Sequence, residues 1–180
     1  MNVSYLIKQK SYEKVKYIAR RHVFTFIPQI ILFVILGIMP FGIYFMVKSM
    51  FPALLDTPQM YTLGILLGSI YYLCILLFFF TSFVDFYLDI WIVTNDRIID
   101  IEQFGLFSRT ISELELFRIQ DITTNVHGIF PTIFKYGDVV IQTASTNVSV
   151  VFRSVPNPDK IRQSLLELAH EDYKYHRGQV

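Results

Sequence analysis

Two stretches of this chain, Val23–Val47 and Thr57–Val84, contain no Asp, Glu, Lys or Arg. The hydrocarbon core of a bilayer is about 30 Å thick, and about 20 apolar helical residues cross it. Both stretches exceed that length. They also account for a hydrophobic content of 53% and a mean hydropathy of +0.43. They predict two transmembrane helices, over about 23–47 and 61–84. A very apolar soluble core helix is the plainer alternative. A secretory signal peptide fits the first stretch poorly, because the apolar run is too long and no small-residue cleavage pattern follows it. Cys74 lies inside the second run as the single cysteine, so no internal disulfide can form, and it reads as a small packing residue.

Lys8, Lys10, Lys14, Lys16, Arg20 and Arg21 precede the first run, against one acid, Glu13. Positive residues stay on the cytoplasmic side, so the N-terminus is expected inside, and two crossings bring the chain back to the same face. The expected location is the inner (cytoplasmic) membrane, as a multi-pass protein with both termini cytoplasmic. Residues 85–180 hold nine Lys/Arg and thirteen Asp/Glu, which does not oppose this topology because long domains escape the charge rule. Lys48 to Gln59, "KSMFPALLDTPQ", fits a tight outer turn, and Pro28 and Pro40 are expected to kink the first helix. Gly64 and Gly68, four apart, leave a flat strip for close helix packing, either against the first helix or against another chain. In the basic segment 1–22, Tyr12, Val15, Ile18 and Ala19 fall at helical spacing. Lys14, Lys16, Arg20 and Arg21 could contact anionic headgroups at about 1 kcal/mol each, or serve only as a topology signal.

From Val84 the apolar period shortens to two. Val84, Phe86, Leu88, Ile90 and Ile92 alternate with Asp85, Tyr87, Asp89 and Trp91, which predicts a strand. "TND" at Thr94–Asp96 reads as a turn. "RIIDIEQF", "FSRTISEL", "RIQDITTNV", "DVVIQTA" and "NVSVVFR" read as five further strands, with Val148, Val150 and Phe152 on one face of the last. "GIFPTIFKYG" reads as a loop with a helical turn. "VPNPDKIRQSLLELAH" reads as a helix with Asn157 as N-cap, Pro158 at its first position and Asp159 favoured by the dipole. Its stripe of Ile161, Leu165 and Leu168 needs a surface to lie on, and a small curved sheet supplies one. The domains expected are the basic segment 1–22, the hairpin 23–84, a cytoplasmic domain 85–172 and a polar tail 173–180.

"VTNDRII", "GLFSRTISEL", "FRIQDI", "GIFPTIFKYGDVVIQTA" and "VPNP" before a helix resemble the bacterial pleckstrin-homology (PH-like) family of small membrane proteins. The resemblance runs from about Leu88 to Leu168, and two membrane helices before the domain are typical of that family. It implies an α+β fold: a transmembrane hairpin, then a bent antiparallel sheet or partly open barrel capped by a C-terminal helix. The family fold has seven strands, and only six are visible here. The marker positions are Thr94, Asp96, Arg97, Gly105, Arg109, Arg118, Gln120, Asp121 and Gly137. In phosphoinositide-binding PH domains a basic loop between the first two strands grips the phosphates. "TNDR", read as that loop, has one acid and one base, so no inositol-phosphate motif carries over.

No catalytic constellation is visible, and the chain is not expected to be an enzyme or to need a cofactor or metal. His170 and His176 are six apart and do not share a face as zinc-helix histidines do. His127 lies beside Gly128 in a loop. No nucleophile motif or phosphate loop occurs, and the acidic domain argues against nucleic acid. Two functions remain open. The first is a membrane-tethered interaction module that binds the bilayer through its hairpin and pairs with itself or another PH-like membrane protein. The second is a lipid-handling or envelope-export component. Within "LFRIQDITTN", the three-residue spacing of Ile119 and Ile122 breaks strict alternation, which predicts a bulge or a bend. Arg118 and Asp121 are expected to satisfy each other or the backbone across it, with a binding site as the alternative.

Overall fold

A computed structural model describes residues 10, 12–52, 57–143 and 149–177. The chain forms two compact units. One is Val23–Phe86, and the other is built from chain on both sides of it, up to His22 and from Tyr87 onward.

In the first unit a 3-10 turn, Val23–Phe26, leads into α1, Ile27–Met50, and α2 spans Pro58–Leu88. The two apolar segments, Val23–Met50 and Pro58–Leu88, have mean hydropathies of 2.6 and 2.4, and both are long and apolar enough to cross a membrane. α2 outlasts its expected end. It runs through Asp85 to Leu88 rather than giving way to a strand at Val84. The alternation there misled: Phe86, read as a strand residue, lies in the last turns of the helix and stacks its ring on Phe26 at 4.9 Å. Pro28 falls in the first turn of α1, where its missing N–H leaves no bond unmade, so only Pro40 sits inside the helix. Tyr71 and Tyr72 donate their hydroxyls to the Leu36 and Gly37 carbonyls, each at 2.9 Å. Phe79 meets Phe33 edge-on at 5.3 Å.

The second unit is α+β. Sheet order is β1 (Val15–Arg20), β2 (Ile90–Thr94), β3 (Arg97–Phe104), β4 (Ser108–Glu115) in one sheet, and β5 (Ile119–Asn125), β6 (Tyr136–Thr143), β7 (Ser149–Pro156) in the other. All neighbours are antiparallel. A short helix, α3 (Ile129–Phe134), connects β5 to β6, and α4 (Pro158–Arg177) follows β7. β1 is the seventh strand that sequence reading did not find. Residues 15–20 are extended rather than helical, and they belong to the sheet rather than to a separate basic segment. Ala19 opposes Trp91 and Tyr17 opposes Val93, so the alternate residues Tyr17 and Ala19 face the core. The helical spacing of Val15, Ile18 and Ala19 was coincidental, and Ile18 lies on the outer face.

Trp91, Val93, Ile98, Leu114, Leu116, Ile122, Val139, Ile141, Phe152 and Leu165 form the core between the sheets and α4, with Trp91 stacked on Phe152 at 5.3 Å. The stripe on α4 lies as expected: Leu165 is fully buried, and Ile161 and Leu168 pack against the same cluster. Val150 and Phe152 face inward on β7, while Val148 lies outside the described residues. α4 continues to Arg177, past the polar tail expected from Tyr173. Asn157 adopts φ +49° and its carbonyl accepts from the Lys160 and Ile161 N–H groups, so it starts the helix through its backbone.

Gly137 shows why the β5–α3–β6 corner needs a glycine. A Cβ there would stand 2.7 Å from the Asn125 carbonyl oxygen and 2.8 Å from Val126 Cγ2. Gly137→Ala is therefore expected to destabilise the full-length protein by about 1–3 kcal/mol, read as a lower midpoint of chemical denaturation in detergent.

Candidate functional site

The turn between β2 and β3 organises the polar residues of the domain. Thr94 Oγ1 donates to the Arg97 carbonyl at 2.8 Å and accepts from the N–H groups of Asp96 and Arg97 at 3.2 and 2.9 Å. A threonine is needed because one hydroxyl can do both. The turn then captures the chain before β1. Asn95 Oδ1 accepts from the Lys14 N–H at 2.6 Å, and its amide donates to the Tyr12 carbonyl at 3.3 Å. Asp96 accepts from Lys10 Nζ at 2.6 Å and Tyr12 Oη at 3.3 Å. That carboxylate holds the Lys10 ammonium well above its ordinary range.

Arg97 is the hinge of the cluster. Its Nε and Nη2 reach Glu13 Oε1 and Oε2, both at 2.9 Å, and its Nη1 reaches Glu113 at 2.5 Å. The Glu13 carboxylate is fully buried. Burial alone would push its pKa up, but the Arg97 fork and the Lys10 N–H outweigh it, and the net shift is downward. Glu13 in turn keeps the Arg97 guanidinium above its ordinary value. At the other end of β1, Arg21 pairs with Asp89 at 2.5 Å, Asp89 accepts from the Gln103 N–H at 2.8 Å, and Arg20 lies 5.3 Å over the Tyr87 ring.

Asp100 is a second buried acid, cross-strand from Trp91. Burial pushes its carboxyl up to about 7, with the Glu102 and Asp89 carboxylates adding to the shift and Arg153 opposing it. Tyr17 is likewise pushed upward by burial.

The remaining expected residues scatter. Gly105 takes φ +64° in the β3–β4 turn, and its carbonyl accepts from Gln103 Nε2 at 2.8 Å. Arg109 is exposed on β4 opposite Gln103. The bulge in "LFRIQDITTN" is present: the β5–β6 register shifts between Ile119 and Asp121, leaving Gln120 as the exposed extra residue. Of the two expected arrangements, Arg118 and Asp121 do not pair with each other, and only Asp121 satisfies the backbone. A 3-10 turn over Leu116–Arg118 sends Arg118 back to Glu115 at 2.7 Å, with 63% of its side chain exposed. Asp121 instead accepts from the Ile122 N–H at 2.8 Å. Lys14 and Lys16 are exposed on and just before β1. Gly64 and Gly68 have open space within 4 Å of where a Cβ would be, so neither lies in close contact with α1. His127 is exposed, and no cluster of three His, Cys, Asp or Glu suited to a metal occurs among the described residues.

The loop between the first two strands also needs correction. Because β1 precedes the hairpin, that connection is the whole apolar insertion from Arg21 to Asp89, not "TNDR". The ion pairs at both ends of β1 bind neighbouring strands to each other, so the cluster is accounted for by its role in holding the fold. The chain belongs to the bacterial PH domain family, whose sequence profile matches residues 22–169. Among solved structures, a DUF1696 family protein with a pleckstrin-homology domain from Shewanella loihica PV-4 is similar at 14% identity and a TM-score of 0.38, over 45% of this chain and 70% of that one. Curated proteins give no match. β1 lies outside the matched range.

Removing Arg97 strands the Glu13 charge, and breaking a buried pair from one side costs about 3–5 kcal/mol. Arg97→Ala is thus expected to lower stability by about 3 kcal/mol and to speed hydrogen exchange at β1 amides, while Arg118→Ala stays within about 0.5 kcal/mol of the parent. Equal effects would remove the distinction.

Among the buried acids, Glu13 and Asp100 oppose each other in pH. Glu13, with a depressed pKa, stabilises the fold above its unfolded value, and that contribution is lost as pH falls. Asp100 binds its proton more tightly when folded, so its contribution declines as pH rises from about 4 to about 7 and is flat above. At 1.36 kcal/mol per unit the decline is at most about 4 kcal/mol. Asp100→Asn should match the parent near pH 4 and melt higher at pH 8.

Proposed function

We propose that the chain is a non-enzymatic, membrane-anchored PH-like interaction module at the cytoplasmic face of the inner membrane, with a second copy or another PH-like membrane protein as partner. The pairing of β1 with β2 carries this reading. Arg20 opposes Ile90 in one ladder, so the residues before and after the two apolar helices lie on the same side. That supports an even number of crossings, and two helices supply it. The excess of Lys and Arg before α1 favours the cytoplasmic side.

Two surfaces support a protein partner. β4 pairs with β3 on one side, and Ser108–Glu113 are exposed along it. An exposed edge accepts a strand from another chain through main-chain hydrogen bonds. The open strip at Gly64 and Gly68 offers a second helix a close approach within the membrane.

Crosslinking of the full-length protein in native membranes is expected to yield oligomers or one discrete partner. A monomer that retains anionic lipid would sink this reading in favour of lipid handling. Gly64→Leu with Gly68→Leu should weaken self-association. An oligomer that survives both changes must be held elsewhere, and the β4 edge is then the remaining contact.

A further inference from the structure

α3 is a short apolar helix that carries three strongly exposed side chains. Of its six residues, Ile129, Phe130 and Ile133 are 76%, 68% and 63% exposed. Nothing in the fold requires this, because α3 buries no residue in the core. Soluble surfaces rarely leave such contiguous apolar patches without a use.

Its position identifies what covers it. Tyr136, two residues past α3, stacks on the His22 ring at 5.1 Å, and the His22 N–H donates to the Ser154 carbonyl at 2.7 Å. His22 immediately precedes the apolar segment that starts at Val23. α3 therefore lies at the end of the domain where the chain leaves for its hairpin. The β3–β4 turn projects the same way. These strands stay paired beyond Ile90↔Ile101 as far as Phe104↔Ser108, past the first residue of β2. At the tip Phe107 is 98% exposed.

We infer that α3 and the Phe107 turn dip together into the interfacial layer of the bilayer that holds the hairpin, giving the domain a second membrane contact. The chemistry fits. Aromatic and branched apolar side chains partition to the headgroup boundary, and a short apolar helix can lie in it. No Asp or Glu occurs between Asp121 and Asp138, and the charged residues nearest the two elements in sequence are Lys135 and Arg109, which suit an anionic surface, while Asp89 beside Gln103 is paired with Arg21. Tethering keeps the local bilayer concentration high, so even a weak contact is occupied. A second protein chain is the rival occupant. The inference rests on the two apolar helices being membrane spans.

The test uses the full-length Cys74→Ser protein in vesicles of phosphatidylethanolamine and phosphatidylglycerol. Nitroxide labels are placed at Phe107→Cys, Phe130→Cys and Ile133→Cys, at Leu66→Cys in α2, and at Glu171→Cys on exposed α4. Collision rates are measured with oxygen, which enters lipid, and with a nickel chelate, which stays in water. The oxygen-to-nickel ratio at Phe107, Phe130 and Ile133 is expected to exceed that at Glu171 severalfold and to approach that at Leu66. A water-like ratio at Phe107 or at both α3 sites overturns the inference. So does protection from both probes there, which would mean a protein covers them. Should Phe130→Cys misfold, Ile133→Cys decides for α3. A water-like Leu66 would instead remove the membrane-span reading, so the two failures are distinct.

Discussion

The pairing of β1 with β2 is the constraint on which the rest of the structure depends. One strand is laid down before the apolar hairpin and its neighbour after it, so the sheet can be completed only when the hairpin doubles back. Closing a long loop adds little entropic cost as length grows, and helices that pack on each other through Tyr71 and Phe79 shorten the effective loop further. Without β1, Trp91 and Val93 would lose the cover of Ala19 and Tyr17. Glu13 and Arg97 at one end of the ladder, and Arg21 and Asp89 at the other, fix its register with charge.

The domain is polarised along its strands. The network of Lys10, Glu13, Asp96 and Arg97 lies around the β2–β3 turn, where the pre-β1 segment is bound, and the exposed Phe107, Ile129, Phe130 and Ile133 lie at the opposite end, beside His22 and past Ile90, where the Arg21–Asp89 pair also sits. A PH-like fold inserted in a chain need not face a membrane in any particular way. Both links to the apolar helices, at Arg21 and Asp89, leave from that second end, which is why the proposed bilayer contact is placed there.

How much was legible depended on the reach of each interaction. The apolar helices, the bulge at Gln120, the loop helix before Lys135 and the stripe on α4 are written in local pattern, and local pattern revealed them. β1 also carried a period of two, with Tyr17 and Ala19 alternating with Lys16, Ile18 and Arg20. Its basic residues invited a reading as a topology signal instead. Arg97 and Glu13 could not be matched because they are 84 residues apart, and no spacing rule reaches that far. Arg118 was overvalued for the opposite reason. Its eye-catching position beside the bulge concealed an ordinary exposed pair with Glu115.

The split sheet has a consequence in time. At about 5–20 residues per second, the ribosome needs roughly 4–15 s after β1 to finish β2. Through that interval β1 waits without its partner while the hairpin is made. On the membrane-anchored reading, a chain that inserts one helix and misses the other leaves β1 and β2 on opposite faces of the bilayer. Its domain then stays unfinished and exposes Trp91 and its neighbours to proteolysis. Completion of the sheet thus reports correct insertion, and the cell can clear a mis-threaded copy simply by degrading what remains unfolded.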